Sequence, residues 1–136
     1  MPDFPLAAVL VPFNDDAVKV TDLRWSDGEQ PTRIVVASRR SGRSCIVEFD
    51  AVIGLRMLDE LDLASTWHGM PADFLKSSWL FAVKSGGWFD LEATRPDFYT
   101  QHVLQKPTEF LVAGFQECVS VLAPSFPRIL EIGSDA

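Results

Sequence analysis

The sequence predicts an α+β fold: a mainly antiparallel β-sheet, strongly bent or partly barrel-like, with one or two short helices. Three observations carry this prediction. Short stretches alternate between apolar and polar residues and are separated by turn-forming residues, the pattern of half-buried strands. The alternation from Ser44 to Leu58 outlasts an ordinary strand, and the stretch that follows it changes to helical spacing. The chain of 136 residues, 47% hydrophobic with 10 Phe and 4 Trp, has enough apolar area for one continuous core and reads as a single domain over residues 1–136.

Taken in order, Leu6 to Val11 is the first expected strand, and Val18, Val20 and Leu23 to Trp25 form the second. Arg33 to Ser38 and Ser44 to Phe49 flank the polar run Arg39-Arg40-Ser41-Gly42-Arg43, which reads as a β-hairpin with a solvated basic tip. From Cys45 onward, Val47, Phe49, Ala51, Ile53, Leu55 and Met57 keep one apolar face, opposite Glu48, Asp50, Gly54 and Arg56. Strands usually run to about five or six residues, so a bend or bulge is expected near Asp50 or Gly54, letting one strand serve two parts of the sheet.

The next stretch, Asp59 to Trp67, spaces Leu63, Trp67 and Met70 like one face of a short helix, and its acidic start suits a helix N-terminus. Trp79, Phe81 and Val83 alternate again before Ser85-Gly86-Gly87, a turn whose glycines permit positive φ or a close backbone approach. Trp88 to His102 reads as a short helical turn followed by a loop. Phe110 to Phe115 and Cys118 to Leu122 surround Gln116-Glu117 as a second hairpin, and Arg128 to Ile132 is a last strand that closes the sheet.

The net charge of −7 opposes binding to a phosphate backbone, so no nucleic-acid ligand is expected; it reads either as solubilising charge or as suited to a basic protein partner. The longest N-terminal apolar stretch, Leu6 to Val11, is far short of the roughly 20 residues that span a bilayer, and no membrane partner is expected. The start Met1-Pro2-Asp3-Phe4-Pro5 lacks a basic n-region, and Cys45 and Cys118 each lie in an apolar run. Two buried, reduced thiols in a cytoplasmic protein are the expectation.

No phosphate loop, dinucleotide turn, nucleophile elbow or Cys-x-x-Cys pair occurs in the sequence, so no cofactor and no catalytic residue is assigned. His68 and His102 are the only histidines, too few and too far apart in sequence to define a metal site. Cys118, on an apolar strand, is expected to be inert.

Seven residues remain as candidates for contacting a partner. Asp59, Glu60 and Asp62 form an acidic cluster that reads either as a helix start or as an exposed knob. Trp67, Trp88, Phe98 and Tyr99 belong to a crowd of aromatics in the middle third of the chain; the last three fall where the chain is irregular, as binding surfaces often are.

The runs Phe49 to Glu60, Ser78 to Val83, Phe110 to Gly114 and Cys118 to Leu122 together resemble small bacterial proteins grouped with the immunity proteins of polymorphic toxin systems. The resemblance spans roughly Ser44 to Ala123 and assigns no functional residue. It implies an acidic, non-enzymatic protein-binding module that neutralises a basic toxin domain. The alternative is a small-molecule-binding protein or an enzyme of unrecognised type, with the same aromatics lining a pocket and a carboxylate, His68 or His102 as its polar handle. Self-association through an unpaired strand edge, giving a homodimer, is compatible with either.

Overall fold

The computed structural model describes residues 6–14, 18–26, 29–59, 78–98 and 106–132. Among these residues nine strands form in chain order: β1 Leu6–Ala8, β2 Val18–Arg24, β3 Thr32–Ser38, β4 Ser44–Phe49, β5 Gly54–Asp59, β6 Leu80–Val83, β7 Thr108–Ala113, β8 Glu117–Ala123 and β9 Arg128–Ile132. One helix is found among the described residues, α1 at Trp88–Glu92. No helix among them is long and apolar enough to cross a membrane.

All strand pairs are antiparallel and fall into two sheets. One has five strands in the order β1-β6-β7-β8-β5, the other four in the order β2-β3-β4-β9. The mainly antiparallel architecture is therefore as the alternation predicted. The partly barrel-like closure is not found among the described residues, where each sheet ends in its own edge strands and no strand is shared between them. The predicted helix over Asp59–Trp67 falls largely outside the described residues, so α1, five residues long, is the only helix to report among those described.

The two sheets face each other across one core. Val18, Val20, Ile34, Val36, Cys45, Val47 and Phe49 from the four-stranded sheet pack in one cluster with Leu80, Phe110, Val112, Val119 and Val121 from the other. Phe49 and Phe110 meet across the layers at 5.6 Å between ring centroids, and Phe126 stands edge-on to Phe110 at 4.9 Å. Two polar groups sealed at the margin are matched: the Trp79 indole N–H donates to the Phe13 carbonyl at 2.9 Å, and the Ser78 hydroxyl to the Val9 carbonyl at 2.8 Å.

The long alternating stretch divides at the predicted place, but more completely than a bulge would divide it. β4 pairs with β3 and β9 in one sheet, the chain crosses over at Asp50–Ile53, and β5 pairs with β8 in the other sheet. Cys45, Val47 and Phe49 point into the core, and Leu55 packs against it. In the crossover Ala51 and Ile53 are exposed, and Met57 is exposed at the sheet's edge, so the single apolar face read from sequence belongs to two layers. Arg128 to Ile132 forms the predicted strand, yet β9 pairs with β4 alone among the described residues and leaves that sheet open.

Turns follow the expected punctuation, displaced by a residue or two. The β3–β4 hairpin tip is exposed from Arg39 to Gly42, as its charge implied; Arg39 also lies over the Phe115 ring at 4.1 Å, and Arg43 donates to Glu131 and to the Pro12 carbonyl. The β7–β8 turn places Gln116 at φ 77°, and its Phe115 amide donates to the Val18 carbonyl at 2.7 Å, tying this turn to the opposite sheet.

Candidate functional site

β7 and β8 read as nearly unbroken apolar runs because the five-stranded sheet is buried on both faces. Alternate residues face away from the four-stranded sheet in two cross-strand rows. One row is Phe81, Leu111, Ser120 and Arg56; the next is Val83, Glu109, Leu122 and Gly54. Phe81, Leu111 and Leu122 on this outer face are buried, and α1 with the turns that follow it lies across the second row.

Glu109 explains how so short a helix is held. Five residues cannot sustain a helix by their own hydrogen bonds, and Gly87 at the start has no side chain to cap it. The carboxylate of Glu109 does this from the neighbouring strand, accepting the Trp88 amide at 3.0 Å and the Phe89 amide at 2.7 Å. A side chain at position 87 would collide with it: a Cβ there would stand 2.6 Å from Glu109 Oε2 and 2.6 Å from Val83 Cγ1. Gly86, at φ 73°, donates its amide to Asp90 at 2.7 Å. The glycine turn read from sequence therefore serves both purposes expected of it.

Trp88, Phe89 and Phe98 are half-buried. The Trp88 ring rests on Gly54 and beneath the Arg56 guanidinium, 5.2 Å from the ring centroid, and its indole N–H donates to Glu92 at 3.3 Å. Phe98 stands edge-on to Phe89 at 5.7 Å and is flanked by Arg95, which is paired with Glu92 and Asp97. These aromatics fasten the segment to the sheet and to itself. What the segment turns outward is Leu91, 60% exposed, with the exposed Asp90, Thr94, Arg95, Pro96 and Asp97.

Of the seven predicted contact residues, Trp88 and Phe98 thus come together on one segment. Asp59 does not join them. It ends β5, while Trp88 contacts Gly54 at the other end, roughly 17 Å away by the rise of a strand. Asp59 is exposed and stands directly opposite Glu117, whose Oε2 is buried with no hydrogen-bond partner among the described residues. Glu60, Asp62, Trp67 and Tyr99 lie outside the described residues, as do His68 and His102.

A cleft of about 310 Å³ opens beside the same segment, lined by Val83, Lys84, Phe89, Lys106, Thr108 and Glu109 among others. Its aromatic lining is Phe89, not the Trp88 and Phe98 expected from sequence. Its two carboxylates, Glu109 and Asp90, already accept backbone amides. Burial raises the Glu109 carboxyl above its ordinary range, against the lowering effect of the Phe89 and Trp88 amides and of Arg56. Among the described residues no group of His, Cys, Asp and Glu is placed to hold a metal ion. The Cys45 thiol is buried in the core and pushed up to about 12, chiefly by that burial, so it is held in its unreactive form.

Sequence reading missed Glu109 and Arg56 as parts of this site. The available signal was Glu109 itself, a charged residue interrupting an apolar strand, which requires a buried partner. No protein-family model, curated protein or solved structure matches the chain.

Proposed function

We propose that the chain is a non-enzymatic protein-binding module of the immunity type, which engages a basic partner through the outward side of the 88–98 segment. The observation that carries this reading is Leu91: a large apolar side chain, 60% exposed, on a helix clamped in place by the buried Glu109 carboxylate, in a segment whose exposed charges are Asp90, Arg95 and Asp97. An apolar centre with a charged rim is how binding patches are built, and a preordered segment loses little entropy on binding. The net charge of −7 steers a basic partner toward it.

The test is affinity capture from the source cells with the wild-type chain and with the double variant Leu91→Ala, Asp97→Lys. Both substitutions are at exposed positions, so thermal midpoints are expected to match. The reading expects the wild type to retain a basic protein that the variant loses; equal recovery by both removes this surface from consideration.

The 310 Å³ cleft favours a second reading, a site for a small anionic molecule with an apolar body, since Lys84, Lys106 and Phe89 are among the residues that line it. Screening by ligand-observed NMR separates the two readings. A small molecule whose signal change disappears in Phe89→Ala but persists in the Leu91, Asp97 variant would favour the cleft.

A further inference from the structure

Among the described residues the four-stranded sheet has two edges, and they are built differently. β2 presents Lys19, Asp22 and Arg24 as exposed charges and shifts register between Val20 and Asp22, two devices that keep an edge from pairing with another chain. β9 has neither. Its register with β4 runs unbroken from Arg128 to Ile132, and its two charges are engaged within the chain: Arg128 with Glu48 and Asp50, Glu131 with Arg43. Its outward residues Leu130 and Ile132 are 44% and 40% exposed. Leu130 continues a cross-strand apolar row, Val35–Ile46–Leu130, that stops at the edge.

We propose that β9 is a dimerisation edge, which pairs antiparallel with β9 of a second copy of this chain about a two-fold axis at Leu130. The register follows from the sequence of the strand. Directly opposed residues must point to the same face of a continuous sheet, so a two-fold axis has to pass a residue rather than a peptide bond. Centred on Glu131, it sets two carboxylates against each other. Centred on Ile129, it brings Pro127, which has no N–H, into the ladder.

Centred on Leu130, it pairs all of β9: Leu130 with its counterpart, Arg128 with Ile132, and Ile129 with Glu131. No like charges then face each other. The two sheets merge into one of eight strands, and the apolar row runs from Val35 of one copy to Val35 of the other. This surface belongs to the sheet opposite the 88–98 segment, so the proposal stands apart from the partner-binding reading.

Sedimentation velocity on the full chain tests it, from about 1 to 200 µM, the range in which a small interface associates. The wild type is expected to move toward twice its 15.1 kDa mass as concentration rises. Leu130→Lys sets two ammonium groups opposite each other and is expected to weaken association at least about tenfold. Met57→Lys, on the exposed edge of the other sheet, is expected to dimerise like the wild type. On mild oxidation, Leu130→Cys links to its counterpart faster than Ile132→Cys, which faces Arg128 in the proposed register. A wild type that stays monomeric throughout overturns the proposal, as does a Leu130→Lys protein that dimerises unchanged. Faster cross-linking of the Ile132→Cys protein overturns the register.

Discussion

A methyl group at position 87 would lie 2.6 Å from Glu109 Oε2 and from Val83 Cγ1, and neither neighbour is free to withdraw. Val83 is fixed by its strand, and the Glu109 carboxylate is pinned by the two amides it accepts. Gly87→Ala is therefore expected to lose about 1–3 kcal/mol, the usual penalty of overpacking, as a lowered urea midpoint with unchanged slope. An unaltered midpoint would mean that α1 does not sit on Glu109 as described.

Glu109 also imposes a pH dependence whose sign can be stated. Its carboxyl lies above the ordinary value of 4.5 because burial disfavours the charged form more than the Phe89 and Trp88 amides and Arg56 favour it. The native state then holds this proton more tightly than the unfolded chain, so its contribution to stability declines as pH rises from about 4.5 through the native value. Glu109→Gln lacks that titration. Relative to wild type, the variant is expected to gain stability between about pH 4 and pH 7 in urea unfolding. A constant difference across that range would contradict the buried carboxylate.

Among the elements, β3, β4 and β9 are joined on the outer face by a row of charges. Glu48, buried in the middle strand, accepts from Arg33 at 2.9 Å and from Arg128 at 3.1 Å, and Arg128 also reaches Asp50 at 2.7 Å. The Arg128 hydrogen bond foremost, with that of Arg33, holds the Glu48 carboxyl below its ordinary 4.5 despite burial. This is the opposite case to Glu109: the stabilisation is complete above about pH 4.5 and is lost as pH falls through the lower native value. Glu48→Gln is expected to flatten the acid side of the stability profile. A variant with the same acid limb as wild type would show that this row does not hold the three strands together.

The elements also show what was legible in the sequence. Strand periodicity located most of the strands to within a few residues, because alternate residues of β3 and β4 meet core and solvent in turn. The Asp50–Ile53 crossover was visible as excess length, since a strand of that extent has no partner long enough to pair it. Membership of a sheet was not visible. Which layer β5 or β9 joins depends on partners far along the chain, and Glu48 meets Arg128 across 80 positions with no local pattern to announce it. The candidate site was half legible for the same reason. Aromatic crowding pointed to Trp88 and Phe98, whereas the contact that positions them, Glu109, comes from another strand.

At the scale of the whole molecule, the two cysteines report on opposite sides of one sheet. Cys45 lies in the core between the layers, and Cys118 lies on the outer face of the five-stranded sheet, against Leu111, Leu58 and Val83. Both are buried, so a thiol reagent reaches them only through an opening of the structure. Phe110 links the layers through its tilted ring contact with Phe49, and the β7–β8 turn is hydrogen-bonded to β2. These ties lead to the expectation that the layers unfold as one unit and that both thiols are labelled at one rate. Phe110→Leu, which costs about 1–2 kcal/mol at the junction, should raise both rates together, by roughly tenfold. Mass spectrometry of peptides after timed labelling distinguishes the sites. Labelling of Cys118 well ahead of Cys45 would show instead that the outer layer opens by itself, with the 88–98 segment released while the inter-sheet core stays closed.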